Sequence, residues 1–588
     1  MRHAVPSFSF RTRLQKAGGA PVDLPSRTAS AGDEPPHAAA AHHAAATAQR
    51  GAGPRPLRSA GGPTTDHPSP SIAEETTLGR CLPSVTVAGR DVARVQVPVS
   101  IDDAHPGCVL VHRTGIDDPV DTAARSMAVG VAGIVTEQLL PCSVPQYLVA
   151  DADAAAATLT HLALGRPDTR LLTIGVVGEA GKTTTALLIA KLLRKVGLQV
   201  AYRTDLGSSD GVSQTTPNLI AGGGQSLYID LNAAVEAASQ VAVIEVDSRA
   251  ARNGEFDDMT FDIVVVTEGP RDGDCFGPGP IETILERLEA DGVVVASTSA
   301  NDLWKTIRSR DLAGVSYGRD GADVQYDILE ASGGLMTMTL NQLDTVAVLE
   351  SGLTGRVNAA NIAAAGAVGL LMSIPINEIA DELGHPTRLP GRETRVALPG
   401  VAATIVDVAS TPASVSATLI NHRRQNPGGR LWVVATTDCR DATHKAVGNA
   451  LARSADEIVL TCGSDSKKAT FLADAHCVID GVDDARRCRP IANFEEAVRW
   501  TMSQAKFTDT VVVLVGQSEK VTPQIHRRRI ERALAMVRGN AEGLTRKPRP
   551  KVMHLDREDA DATRPQRGGG SATSSDAFPS LKLFRPAE

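Results

Sequence analysis

Aromatic residues make up only 3% of the 588-residue chain. Its cores must therefore be filled by Val, Leu, Ile and Ala, and the apolar share of 42% is enough to fill several. The eight cysteines form no Cys-x-x-Cys pair. That spacing argues against a disulfide framework or a zinc site and makes a reducing, cytoplasmic compartment the default. No apolar run approaches the roughly 20 residues that a membrane-spanning helix needs. Positive charge is not in excess either. The 60 Lys and Arg against 68 Asp and Glu leave a formal charge of -8, which argues against a direct nucleic-acid binder. The length suffices for about three or four domains.

Residues 1–75 are rich in Ala, Pro, His, Ser and Arg, the composition of a disordered tail. Two sharper readings compete there. His37, His42 and His43, set in an Ala/His run, offer metal-binding imidazoles. The Arg- and Ser-bearing start resembles an organellar transit segment, which would place the protein in a plastid or another organelle. A second disordered tail is expected over 541–588, where Gly568-Gly569-Gly570 lies.

Between the tails the hydrophobic pattern predicts three α/β blocks, at 76–168, 169–390 and 391–540. In the first, Gly107–Val111, Gly133–Thr136 and Tyr147–Val149 are expected strands, and Val120–Val129 and Asp151–Gly165 expected helices. In the second, Val241–Val246, Ile263–Thr267 and Val293–Ala296 are apolar runs suited to parallel strands buried on both faces, and Asn358–Leu371 is an Ala-rich helix. The third repeats the alternation, with strands at Thr404–Asp407, Leu431–Ala435, Glu457–Leu460 and Val511–Gly516.

Chemistry concentrates where the second block begins. The apolar run from Leu171 to Val177 leads into Gly178-Glu179-Ala180-Gly181-Lys182-Thr183-Thr184 and then an apolar helix, Ala186–Val196. Glycines let backbone N–H groups approach phosphate oxygens, and the helix directs its positive end at the same charge. Lys182 can reach the outer phosphates and the Thr183 hydroxyl can take a place on Mg²⁺. The spacing is Gly-x-x-Gly-Lys rather than the strict Gly-x-x-x-x-Gly-Lys, and Glu179 adds a carboxylate to a loop suited to phosphate.

Several further motifs follow in order. Gln214-Thr215-Thr216-Pro217, Ile244-Glu245-Val246-Asp247-Ser248, Thr267 to Asp272, Gly355-Arg356-Val357-Asn358-Ala359-Ala360-Asn361, Pro390-Gly391-Arg392-Glu393 and Val406-Asp407-Val408-Ala409-Ser410-Thr411-Pro412 together resemble the Mur ligase family. The resemblance runs over about residues 90 to 535 and is strongest to the branch that adds the third amino acid to a UDP-MurNAc-dipeptide. It implies a three-domain architecture, with a central parallel-sheet P-loop ATPase domain and a Rossmann-like C-terminal domain. It also implies an ATP-dependent ligase that forms an amide from a carboxylate through an acyl phosphate. ATP and Mg²⁺ are the implied cofactors, and a nucleotide-linked muramyl peptide and an amino acid the implied small-molecule partners.

Residue by residue, the resemblance assigns phosphate contacts to Gly178, Gly181, Lys182, Thr183 and Thr184, and Mg²⁺ to Thr183 and Glu245. Asn358 or Asn361 would read the adenine side, Arg392 and Asp407 would bring the third domain onto the nucleotide, and Thr215 and Thr216 would touch the muramyl peptide. Lys182, Glu245 and Arg392 are the catalytic candidates. Plainer roles stand beside these: capping for Asn358, Asn361 and Asp407, an ion pair at the junction for Arg392, and a turn for the Thr-Thr-Pro.

The chain also departs from the family pattern. The family lysine that is carbamylated to bridge a second Mg²⁺ corresponds by spacing to Arg287. Family histidines are replaced by Arg249, Gly273 and Ser410. Gly463-Ser464-Asp465-Ser466 does not match the diaminopimelate selector, and Gly516-Gln517-Ser518-Glu519 only partly matches a terminal Gly-Lys-Gly-His-Glu. Two functions from different classes follow: a divergent amide ligase, or a catalytically silent Mur-like scaffold that binds ATP and serves a protein partner.

Overall fold

The computed structural model describes residues 77–545, apart from 94, 216–222, 253, 268–277, 333, 385–388, 390–391, 410, 438–442, 463–467 and 517–522. The expected tail over 1–75, with its three histidines, and the tail beyond 545 lie outside the described residues.

Three sheets follow one another along the chain. The first has the order β1-β4-β3-β2, from β1 (Thr86–Ala88), β2 (Val109–Val111), β3 (Gly133–Thr136) and β4 (Gln146–Leu148). Helix α1 (Pro119–Val129) starts where the Asp118 carboxylate accepts from the Val120 and Asp121 amides, and it stops at Gly130, whose φ of 76° needs a residue without Cβ. Helix α2 (Ala152–Ala163) is capped in the same way by Asp151, as the sequence suggests.

The second sheet has eleven strands in the order β15-β14-β13-β12-β11-β10-β5-β9-β6-β7-β8. They are β5 (Leu172–Val177), β6 (Val200–Thr204), β7 (Gly207–Ser209), β8 (Gln214–Thr215), β9 (Val241–Glu245), β10 (Phe261–Val266), β11 (Leu288–Ser297), β12 (Ala313–Gly318), β13 (Val324–Ser332), β14 (Leu335–Gln342) and β15 (Thr345–Ser351). The centre, from β6 through β9, β5, β10, β11 and β12 to β13, is parallel. Antiparallel arms, which the apolar runs do not announce, extend it at both ends.

Because the parallel strands are covered on both faces, their side chains are apolar on both. One core gathers Ile174, Val243 and Val265 under α3 (Lys182–Lys195), α8 (Gly355–Leu371) and α9 (Ile376–Gly384). The other gathers Ala242, Ile244 and Val264 with residues of α4 (Gly223–Glu236) and α6 (Pro278–Leu285). Short helices α5 (Ser248–Arg252) and α7 (Asn301–Ser309) complete this part. The small residues of α8 let it lie deep against its neighbours. A Cβ on Gly369 would meet Leu192 Cδ2 at 2.7 Å.

The third sheet, β16-β17-β21-β18-β19-β20, is parallel except at β16. Its strands are β16 (Thr394–Val396), β17 (Ala403–Val408), β18 (Leu431–Thr436), β19 (Glu457–Thr461), β20 (Cys488–Pro490) and β21 (Thr510–Val515). Helices α10 (Pro412–Gln425), α11 (His444–Ala452), α12 (Lys468–Ile479), α13 (Phe494–Gln504) and α14 (Pro523–Thr545) flank it. A reciprocal Thr411–Ser414 capping box fixes the start of α10. Helix α14 continues to Thr545, past the boundary expected at 540.

Candidate active site

Strand β5 ends at the centre of the parallel run, and the chain then turns into α3. Two glycines make the turn. Gly178 has φ 144°, and a Cβ there would lie 2.2 Å from Thr267 Oγ1; Gly181 has φ 85°, and its Cβ would lie 2.2 Å from Asn361 Oδ1. No other residue type fits either position. Gly181 is the N-cap of α3 and offers no side-chain acceptor. The first intrahelical bond of this turn is Thr185 N–H to Gly181 O, at 2.8 Å. The Lys182, Thr183 and Thr184 amides thus open the helix without intrahelical partners, the arrangement that receives an anion. Asn361 is 1% exposed, and its Oδ1, facing Gly181, has no hydrogen-bond partner.

Glu245 closes β9, the strand beside β5. Its Oε2 accepts from Thr183 Oγ1 at 2.8 Å and from the Asp205 amide at 3.0 Å. Burial, reinforced by the Asp205 charge and opposed by Lys182 and Arg392, pushes its carboxyl up to about 7. Lys182, Thr183 and Glu245 therefore converge at the carboxyl ends of adjacent strands.

Arg392 arrives from the entrance to the third sheet. It donates from one terminal nitrogen to Thr183 Oγ1 at 2.7 Å and from the other to Val408 O at 3.0 Å. Its Nε is buried without a partner. The next residue, Glu393, holds φ 44°, a left-handed conformation costly for a side chain with Cβ. Its carboxylate explains why that cost is tolerated. Oε2 accepts from Thr354 N and Oγ1 at 2.9 and 3.1 Å, and Oε1 accepts from Asn421 Nδ2 at 2.5 Å. Thr354 opens α8 and Asn421 lies on α10, so Glu393 latches the second sheet's helix to the third sheet's helix.

Burial and the neighbouring Asp407 push Glu393 up to about 7, and burial pushes the adjacent His422 down to about 4. A carboxyl raised in the native state keeps a proton that the unfolded chain has released. Glu393 therefore costs stability as pH rises from about 4.5 to 7. His422 acts in the opposite sense between about 4 and 6.5. A Glu393→Gln variant should isolate the first effect. Between pH 5 and pH 8 the stability of that variant in urea should rise relative to the parent's by on the order of 2–3 kcal/mol, because the Glu393 loss is gone and the opposing His422 gain remains. Equal pH slopes would show that Glu393 is ionised throughout.

These groups border a cleft of about 510 Å³, lined among others by Gly181, Thr184, Asn358, Asn361, Arg392 and Asp407. Two candidates have internal hydrogen bonds, and neither bond set is a helix cap. Asn358 donates to Thr354 O at 3.0 Å and accepts from Asn361 at 3.3 Å. Asp407 accepts from the Val408 and Glu393 amides and, at 2.6 Å, from Thr418 Oγ1. Its carboxylate thus ties the start of the third sheet to α10. Thr215 ends β8, whereas Thr216, Glu268, Gly273 and the 463–467 loop lie outside the described residues.

One expectation needs correction. Arg287, matched by spacing to the carbamylated lysine, is tied to the other end of the strands. It pairs with Asp257 at 2.9 Å, and its carbonyl accepts from the amide of Phe261, the first residue of β10. Residues the sequence reading passed over are Asp205, Thr354, Thr418 and Asn421.

Residues 391–517 match the family model described as "Mur ligase, glutamate ligase domain". The chain is 27% identical over 450 residues to the UDP-N-acetylmuramoyl-L-alanyl-D-glutamate--2,6-diaminopimelate ligase of Geobacillus thermodenitrificans, covering 71% of this chain and 89% of that one. The enzyme of the same name from Xanthomonas campestris pv. campestris is 28% identical over 417 residues, covering 66% and 82%. Among solved structures, the MurF ligase of Thermotoga maritima in complex with ADP superposes with a TM-score of 0.55 at 18% identity, covering 76% of this chain and 99% of that one. The motifs spread along the chain and the matched third-sheet domain agree in likening the chain to Mur ligases, with residues 391–517 carrying a Mur ligase domain, and the shared architecture gives the same fold.

Proposed function

We propose that the protein is an ATP-dependent ligase that activates a carboxylate and joins it to an amine, acting in peptidoglycan precursor synthesis on a nucleotide-linked muramyl peptide and an amino acid. The observation that carries this reading is the meeting of Lys182, Thr183, Glu245 and Arg392, with Arg392 and the adjoining Gly181 and Thr184 lining the cleft. The residues fit a nucleotide. Bare glycines, uncapped amides and the orphaned Asn361 Oδ1 face the same loop. Thr183 and Glu245 are oxygen donors of the kind that suits magnesium. When bound, the metal supplies neutralisation of phosphate charge.

The chain's own residues do the rest. The loop amides and Lys182 hold phosphate oxygens and favour the charge distribution of transfer. Arg392 brings the third sheet against the loop, and the Glu393 latch keeps it there. Closure of this kind shields an activated carboxyl from water. Thr215, the last residue of β8, and Thr216 are proposed to meet the muramyl peptide.

The displaced Arg287 favours a second reading, a scaffold that binds nucleotide without turnover and serves a protein partner. The deciding assay measures ADP release from ATP with UDP-MurNAc-dipeptide and a panel of amino acids. Release that depends on both acceptor and amino acid is expected. ATP-dependent thermal stabilisation without release across the panel would establish the scaffold instead. Among the described residues no helix is long and apolar enough to cross a membrane.

A further inference from the structure

We propose that Asp205 is a second anionic ligand for the divalent cation in this site, acting with Thr183 and Glu245. The inference rests on the nucleotide-binding reading above and adds a residue that the family motifs do not contain.

Strand order is the first ground. β5, β9 and β6 are consecutive parallel neighbours, and neighbouring strands lie about 4.8 Å apart. The phosphate loop leaves the end of β5, Glu245 closes β9, and Asp205 directly follows β6. The β6–β9 register pairs Arg203 with Ile244, so Asp205 emerges beside the end of β9. Its amide donates to Glu245 Oε2 at 3.0 Å, the oxygen that also accepts from Thr183. The turn is held rigidly, with Thr204 Oγ1 donating to Gly207 O at 2.9 Å and accepting from Leu206 N at 3.3 Å.

Charge is the second ground. The amide bond from Asp205 to Glu245 Oε2 sets a second acidic residue directly beside Glu245, and like charges so placed repel. Asparagine would supply the same backbone bond without that repulsion. The carboxylate gains from a cation placed between it and Glu245. Arg392 already puts a guanidinium on Thr183 Oγ1, and the unpartnered Asn361 Oδ1 faces the adjoining loop, so the region is prepared for a charged ligand from both sides. With Arg287 held at the opposite end of the strands, Asp205 is the added negative charge beside Glu245 that the described residues provide.

The test compares the parent protein with Asp205→Asn and Asp205→Ala, using Mn²⁺ with a non-hydrolysable ATP analogue and counting free Mn²⁺ by electron paramagnetic resonance. Binding of the same analogue in EDTA is measured in parallel. Both variants should lose about 10- to 100-fold in Mn²⁺ affinity, with EDTA binding of the analogue within about twofold of the parent. Mn²⁺ affinity within about twofold of the parent in either folded variant would overturn the assignment of Asp205 and leave the nucleotide site standing. Absence of analogue binding by the parent protein itself would overturn the nucleotide site and this inference together.

Discussion

Lys182→Ala will abolish the ATP-induced rise in melting temperature and reduce ADP release by about 10³-fold, while leaving the unliganded melting temperature nearly unchanged. The lysine is the first residue of α3 and follows the glycine whose left-handed conformation aims the helix start into the cleft. Removing one charged group that faces developing phosphate charge costs about 10²–10³ in rate. Here the loss of ground-state phosphate binding adds to it. The fold does not need the ammonium, because α3 is held by Leu188, Ile189, Leu192 and Leu193 in the apolar core. Retention of the thermal shift in the variant would mean that the phosphates sit elsewhere. Ligand-observed calorimetry with ATP and differential scanning fluorimetry together decide this.

Arg392→Ala should lower turnover by about 10²- to 10³-fold and Arg392→Lys should not restore it. The reason is geometric. The two terminal nitrogens reach Thr183 Oγ1, on helix α3, at 2.7 Å and Val408 O, on strand β17 of the third sheet, at 3.0 Å. A planar fork spans both at once, whereas an ammonium is a point charge that satisfies one. The lysine variant should therefore keep part of the nucleotide affinity and lose turnover, since the loop and the third sheet would no longer be tied. Steady-state kinetics that separate kcat from KM, with small-angle scattering to follow domain closure, measure both halves. Full activity in the lysine variant would reduce Arg392 to a source of charge.

Much of this was legible beforehand for physical reasons. The runs at Val241, Ile263, Leu431 and Val511 are apolar at successive residues, which only strands covered on both faces require, and all four are parallel strands. The phosphate loop was visible because its glycines, lysine and threonine are contiguous. The antiparallel arm was hidden because β15 exposes Val346 and Val348, at 59% and 61%, so its two faces differ little in hydropathy. The strands β7 and β8 carry Gly, Ser and Thr and give no apolar run. Asp205 was passed over because its neighbour Glu245 is 40 residues away along the chain. Only the order of strands, with β6 placed beside β9, brings them together. The Glu393 latch was half visible. The arginine before it belongs to a motif, but its own partners, Thr354 and Asn421, lie on helices whose meeting no local pattern encodes.

The bond between Arg392 and Thr183 joins residues 209 positions apart. During synthesis the phosphate loop leaves the ribosome first and waits about 10–40 s for its arginine, at usual elongation speeds. Throughout that interval the nascent chain presents an open cradle to the nucleotide pool, with nothing yet made that can close over it.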